Sequence, residues 1–600
     1  MHFTPRWRAD RRIAAAASAV LTLAALTVVG TVPAHAAGGT YYVSPSGSDS
    51  AAGTSAAPWK TIAHAQSVAS AGDTVYFRAG TYAYTAGTNT CSSQTATVNA
   101  IVLNKSGTSG NPIRYWAYPG ETPHFDFSGM TDDCRVKGFD VTGSYVHLKG
   151  LEVTGVPQHN NLNHESWGVW ISGGNNTFEQ LNLHNNMGPG LFIQDGGGNL
   201  VLNCDSHDNY DPLTSNGAGQ SADGFGAHIS AGHPGNVFRG DRAWWNSDDG
   251  FDLINAYSSV TIEDSWTWRN GYLPGTTTSA AAGNGNGFKM GGYGGVYVSN
   301  GAKHTLRDSV SFLNKAAGIY ANHHTLANDY FNNTSYSNHP DFNMLGINSS
   351  GSAVGLGNLR NNIAYGGTLL SNNSGVSDSA NSWTLGVTVS DSQFQSVSTS
   401  GWDAPRQADG SLPVLPNLRL AAGSSLIDKG VDVGLPYSGS APDLGAFEYG
   451  GTSVTTPATI TTSTTTRTTT TSTGPVVTTT TTPARTTTTT TSVRTTTTTG
   501  GATTGACTTA FTIASAWSGG FVGNVSVTAG AALSGWKVTL TLPSGVAITS
   551  LWGGTNTGTT GTVGVTNAAY NGSLGAGQAT SFGFQATGTG SGTTVTCAAA

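Results

Sequence analysis

Three short stretches hold the residues best suited to chemistry: Asp223-Gly-Phe-Gly226, Asp248-Asp249-Gly-Phe-Asp252 and Asn286-Gly-Phe-Lys289. Aligned on the shared Gly-Phe pair, Asp223 falls in register with Asp249, and Asp252 with Lys289. Carboxylates brought within about 5 to 10 Å of one another repel unless they are protonated or share a cation. Hard oxygen ligands in that number suit Ca²⁺ better than zinc or copper. A lysine beside such a cation is disfavoured as an ammonium, so its pKa falls from about 10.4 toward that of a working base. Plainer readings exist. Asp-Gly is a common turn pair, so any one of these acids alone reads as a solvated corner, and Lys289 need only pair with Asp252. Four acids and a lysine in one register favour a site.

Such residues need a scaffold that lays equivalent positions above one another. The chain supplies a repeat, in which strand-like stretches end at Asn186, Asn209, Asn246, Asn270, Asn314 and Asn338, at intervals of 23, 37, 24, 44 and 24 residues. The two long intervals read as the same unit with insertions, which would wall the face carrying the acids. Alternating apolar residues such as Val260 and Ile262 have strand character. A short repeat with a recurring Asn is the pattern of a parallel β-helix, with coils about 4.8 Å apart and the Asn amides stacked as a ladder at an inner corner. A leucine-rich repeat would carry more Leu, and a propeller a longer unit. The neighbouring units read Gly188-Pro-Gly-Leu-Phe192 and Ala316-Ala-Gly-Ile-Tyr320 at the aligned position, so the fold itself does not demand acids there. Trp59 to Val68 reads as a short helix capping one end of the stack.

The rest of the chain sets limits. A net charge of -7 gives no basic footprint, which excludes nucleic acid as an expected partner. Arg6, Arg8, Arg11 and Arg12, an apolar run to Val32 and Ala34-His-Ala36 read as an export signal over residues 1–36. A secreted protein is expected, with no membrane association after cleavage and a monomeric state. Residues 37–450 hold the repeat. Residues 451–505 are dominated by Thr, cannot bury a core and read as a linker. Residues 506–600 alternate strand-like runs with Gly and Asn turns and read as a β-sandwich. Cys507 with Cys597 and Cys91 with Cys134 are expected to pair, leaving Cys204 as a buried thiol.

The motif residues resemble a known family. Asp223-Gly-Phe225, Asn246-Ser-Asp-Asp-Gly-Phe-Asp252 and Gly285-Asn-Gly-Phe-Lys-Met-Gly-Gly292, with Tyr41-Tyr-Val-Ser-Pro-Ser-Gly-Ser-Asp49 and Pro58-Trp-Lys-Thr-Ile62, are similar to polysaccharide lyase family 9. The resemblance implies an all-β, right-handed parallel β-helix with pectate lyase activity on polygalacturonate. It implies Asp223, Asp248, Asp249 and Asp252 as Ca²⁺ ligands and Lys289 as the Brønsted base of a β-elimination. Gly318-Ile-Tyr-Ala-Asn322 departs from the family's Gly-Phe-Asp-x-Asn at this place. The C-terminal region resembles a family 2 carbohydrate-binding module through Ala516-Trp-Ser-Gly-Gly-Phe-Val-Gly-Asn-Val525, Ser534-Gly-Trp536, Asn571-Gly-Ser-Leu574 and Phe582-Gly-Phe-Gln585. That resemblance implies cellulose binding through Trp517, Trp552 and Tyr570, with Trp536 in the core. Two other readings stand beside the lyase. One is a β-helical polygalacturonate hydrolase using Asp248 and Asp249 as acid and base, and the other is a polysaccharide-binding β-helix without catalysis.

Overall fold

The computed structural model describes residues 38–85, 91, 93, 96–159, 165–214, 217–368, 370–372, 374–450, 506–517, 520–552, 554–567 and 571–599. The expected leader, the Thr-rich linker and Tyr570 lie outside them. The described residues fall into two compact units, considered separately below.

The first unit is a parallel β-helix. Its strands form three parallel sheets of 12, 10 and 10 strands, in which each strand pairs with its equivalents in the coils before and after. One coil runs from Leu200–Leu202 in the first sheet through Asp205–His207 in the second to Phe225–Ala227 in the third. The chain then returns to the first sheet at Asn236–Arg239, which pairs with Leu200–Leu202. Inward residues at alternate positions, including Phe178, Val201, Phe238, Phe225, Phe251 and Phe288, are fully buried. Phe225, Phe251 and Phe288 stack with ring centres 5.0 Å apart at each step. The apolar repeat thus becomes one continuous core along the axis.

The corner that carries the expected ladder has a simple local cause. Asn185, Asp208, Trp245, Arg269, Leu313 and Ser337 take left-handed φ values between 49° and 55°. That bend turns the next residue, the recurring Asn, inward. The side-chain amides then bond from coil to coil: Asn186 to Asn209 (3.1 Å), Asn209 to Asn246 (2.8 Å), Asn246 to Asn270 (3.0 Å), Asn270 to Asn314 (2.9 Å) and Asn314 to Asn338 (3.1 Å). Each buried amide is satisfied by its neighbour in the ladder together with a backbone carbonyl of the preceding coil, as Asn209 is by Leu183 and Asn246 by Ser206. The ladder ends on Asp341, whose Oδ1 accepts from the Asn338 backbone N–H. A second ladder, Asn333–Asn362–Asn381, forms at the corner after the first sheet.

The short helix spans Ile62–Val68, with the Thr61 hydroxyl accepting from the His64 N–H as its N-cap. It begins three residues later than Trp59, which instead stacks on Tyr41. Residues 394–447 cover part of the second sheet. There Trp402 packs against Trp266 and Phe312, and Arg406 bonds Asp205 at 2.6 Å. Cys91 and Cys134 are bridged, and Cys204 is a buried free thiol.

The second unit has two antiparallel four-stranded sheets around Trp536, Val538, Phe582 and Phe584. Trp536 is fully buried and its indole N–H donates to the Asn571 carbonyl at 2.7 Å, so it belongs to the core. Cys507 and Cys597 are bridged.

Candidate active site

The third sheet places the chemical residues. Its register pairs Gly226 with Asp252, Asp252 with Lys289 and Lys289 with Tyr320. Gly250 is needed for this approach, because a Cβ there would sit 2.1 Å from Thr267 Oγ1 and 2.7 Å from the Gly287 carbonyl oxygen. Asp249 lies over Asp223, and its backbone N–H donates to Asp223 Oδ1 at 3.1 Å.

The two insertions do wall this face. The described residues of the first insertion, 210–214 and 217–222, and residues 271–286 of the second meet where the Ala282 N–H donates to the Ala218 carbonyl at 3.0 Å. The first is braced by Asp211, which accepts from the Ser247 hydroxyl and the Ser221 N–H. The second is tied by Lys315, donating to the carbonyls of Ala280 and Gly283. Its end closes onto the acids: the Asn284 N–H donates to Asp248 Oδ1, and both the backbone and side-chain amides of Asn286 donate to Asp249 Oδ1. Asn286, next to the Gly-Phe-Lys289 motif, thus orients Asp249, a role its place in the sequence does not announce.

Carboxylate oxygens of Asp223, Asp248 and Asp249 all lie within 4.8 Å of one another, and all three residues are buried. Asp252 is directed otherwise. Its Oδ1 accepts the Ile254 N–H at 2.7 Å and its Oδ2 faces Lys289 Nζ at 2.9 Å. Lys289 Nζ also lies 3.0 Å from Asp249 Oδ2.

Burial, and then the charges of their neighbours, hold Asp223 and Asp248 well above the ordinary carboxylate range. Burial likewise raises Asp249, against the pull of Lys289. For Lys289, burial pushes the pKa down, but Asp249, Asp252, Asp248 and Asp223 outweigh it and hold the ammonium well above the usual lysine value. The lowered lysine expected from the sequence is therefore not produced by the protein's own groups. It requires that the aspartate charge be offset. Three clustered carboxylates and a single lysine against four acids fit a hard divalent cation.

Three further residues stand at the site: His228 and His323, which no motif marks, and Tyr320, which occupies the aligned position after Lys289. His228 lies edge-on to Phe192, and its buried Nε2 has no hydrogen-bond partner. Tyr320 and His323 stand in the coil beyond Lys289. A separate open cavity of about 530 Å³ lined by His124, Asp126, Glu152 and His184 lies on the second sheet. Its histidines are already paired with Thr154 and Glu152.

The chain and its fold have known relatives. The family described as Pel9A-like, right handed beta helix region, matches residues 41–362. The chain belongs to this family. Pectate lyase L of Dickeya chrysanthemi is 40% identical over 419 residues, covering 68% of this chain and 90% of the relative. The crystal structure of pectate lyase Pel9A covers 69% of this chain and 97% of its own, with 36% identity and a TM-score of 0.58. A rhamnogalacturonan lyase structure covers 64% of this chain and 97% of its own, with 35% identity and a TM-score of 0.60. Residues 507–599 match the cellulose binding domain family. Trp517 and Trp552 end strands at the two edges of one sheet of that unit.

Proposed function

We propose that this family member is a secreted pectate lyase that cleaves polygalacturonate by calcium-assisted β-elimination and is held on plant cell wall by its cellulose-binding unit. The observation that carries this reading is Lys289 set against buried aspartates in a chain 40% identical to a pectate lyase over 419 residues.

Asp223, Asp248 and Asp249 would hold Ca²⁺, with Asp252 beside them. Bound there, the ion supplies positive charge that offsets the aspartates and stabilises the uronate carboxylate as its neighbouring C5–H bond is broken. With that charge offset, burial governs Lys289 and favours the neutral amine. Asp249 and Asp252 hold Nζ in place between adjacent coils. The amine takes the proton from C5, the C5 electron pair forms the C4–C5 double bond, and the bond from C4 to the glycosidic oxygen breaks. The product is a 4,5-unsaturated uronide. A neutral sugar has no carboxylate to make its C5–H removable, so the substrate is a polyuronate. Trp517, Trp552 and Tyr570 would offer aromatic faces to cellulose, and the leader over residues 1–36 would direct export. The unit acts as a monomer in this reading.

The test is ultraviolet absorbance of unsaturated uronide during incubation with polygalacturonate, with calcium and then with a chelator. A calcium-dependent rise supports elimination, whereas new reducing ends without absorbance would overturn it in favour of hydrolysis. The likeness to a rhamnogalacturonan lyase favours a second substrate, rhamnogalacturonan, to be run in parallel.

A further inference from the structure

The coil beyond Lys289 carries a built pair of side chains that the elimination step does not use. Tyr320 is the register partner of Lys289 and follows it on the outward face of the third sheet. Its hydroxyl lies 3.2 Å from His323 Nδ1. Both residues are half-buried.

The backbone goes to some cost to make this pair. At the corner three residues beyond the outward position, the two preceding coils use Asn255 (φ 59°) and the tandem Gly291-Gly292 (φ 109° and 94°). The Tyr320 coil instead places His323 there at φ 55°, immediately after Asn322 at φ 53°. Two successive left-handed residues without glycine are unfavourable and persist only when their surroundings hold them. The holding contacts are present: Asn322 Nδ2 donates to the Gly291 carbonyl at 2.6 Å, and the His323 N–H donates to the Leu345 carbonyl at 2.7 Å. Gly292 is the matching concession, since a Cβ on it would lie 2.0 Å from the Asn322 carbonyl oxygen. The outward position itself tolerates Trp170, Phe192, Gly226 and Asp252 in other coils. Neither a tyrosine nor a bent-back histidine is demanded by the fold.

We propose that Tyr320, oriented by His323, is a substrate-positioning contact for the sugar unit next to the one that loses its C5 proton. The inference rests on the polyuronate reading above. Coils stand about 4.8 Å apart, on the order of one pyranose ring, so a polymer laid along the helix axis from Lys289 would bring its neighbouring sugar alongside Tyr320. The histidine fixes the hydroxyl rotor, leaving the phenol oxygen one defined direction in which to meet a sugar hydroxyl or carboxylate.

The test compares wild type with Tyr320→Phe, which keeps the ring and loses the hydroxyl, and with His323→Asn, which keeps a residue suited to left-handed φ. Initial rates of unsaturated uronide release on polygalacturonate should give KM raised about tenfold in Tyr320→Phe, with kcat changed less and an unchanged melting temperature. His323→Asn should raise KM in the same sense and by less. Binding of trigalacturonate by calorimetry, comparing Lys289→Ala with Lys289→Ala/Tyr320→Phe, gives a readout independent of turnover and should show the same weakening. Equal KM and equal trigalacturonate affinity would overturn the contact, as would a loss confined to melting temperature. If wild type released no unsaturated uronide, the elimination reading would fail, and the binding comparison would still judge Tyr320.

Discussion

Lys289 stands one coil beyond Asp252, with its ammonium nitrogen 2.9 Å from Asp252 Oδ2. Because parallel coils fix the register, the pair is set by the sheet ladder and not by a flexible loop. Replacing the lysine should therefore remove the base while the ladder keeps its register, with saturating calcium offsetting the aspartate charge that Lys289 no longer balances. Lys289→Ala is expected to lower kcat by about 10²- to 10⁴-fold. Lys289→Arg should be as inactive, because a guanidinium stays charged. Release of unsaturated uronide under saturating calcium measures both, and a variant within a few-fold of wild type would refute the base assignment.

The aspartates should show opposite behaviour with and without the ion. Asp248 is buried with its pKa pushed well up by burial and by Asp249, so its charge opposes folding when nothing offsets it. Asp248→Asn keeps the shape and the acceptor for the Asn284 N–H. The variant should melt higher than wild type in chelator and gain less from added calcium, with calcium affinity reduced by at least about tenfold. Thermal melts across a calcium titration check this. Unchanged calcium affinity would remove Asp248 from the ligand set.

Much of this site was legible in the sequence because a β-helix converts linear spacing into stacking. The Gly-Phe pairs aligned Asp223 with Asp249 and Asp252 with Lys289, and the recurring Asn marked the corner that fixes that alignment. What stayed hidden depends on direction within a coil. No spacing tells that Asp252 gives one oxygen to the Ile254 N–H and the other to Lys289, sharing that ammonium with Asp249. The Tyr320–His323 pair was hidden because its histidine reaches back through a left-handed bend. The cover formed by residues 394–447 has no repeat to announce it. The tandem Asn of Asn332-Asn333 and Asn361-Asn362 was a usable signal for the second ladder.

Stability should fall as pH rises through neutrality, and Asp341 is one cause. Burial raises its pKa from 3.8 to about 7, and one of its oxygens is buried without a partner. A carboxyl whose folded pKa lies above its unfolded value stabilises the fold fully below the unfolded value, near pH 4. That contribution is lost as pH climbs through about 7. Asp341→Asn keeps an acceptor for Asn338 and Ser335 and extends the ladder without a charge. Urea midpoints at pH 5 and pH 8, both in saturating calcium, should differ less for this variant than for wild type. An equal difference would exclude Asp341 as a source of the pH dependence.

The C-terminal unit should affect where the enzyme works and not how fast. Trp517 and Trp552 lie on opposite edge strands of one sheet, and an aromatic ring offered to a sugar gains from the apolar face of the pyranose. Trp517→Ala and Trp552→Ala are each expected to weaken binding to insoluble cellulose by about tenfold. The rate on soluble polygalacturonate should match wild type in both variants, since Lys289 and its aspartates belong to the other compact unit. Removing residues 451–600 should abolish cellulose retention and leave the same soluble rate. A drop in that rate would mean that the second unit takes part in binding the polyuronate as well.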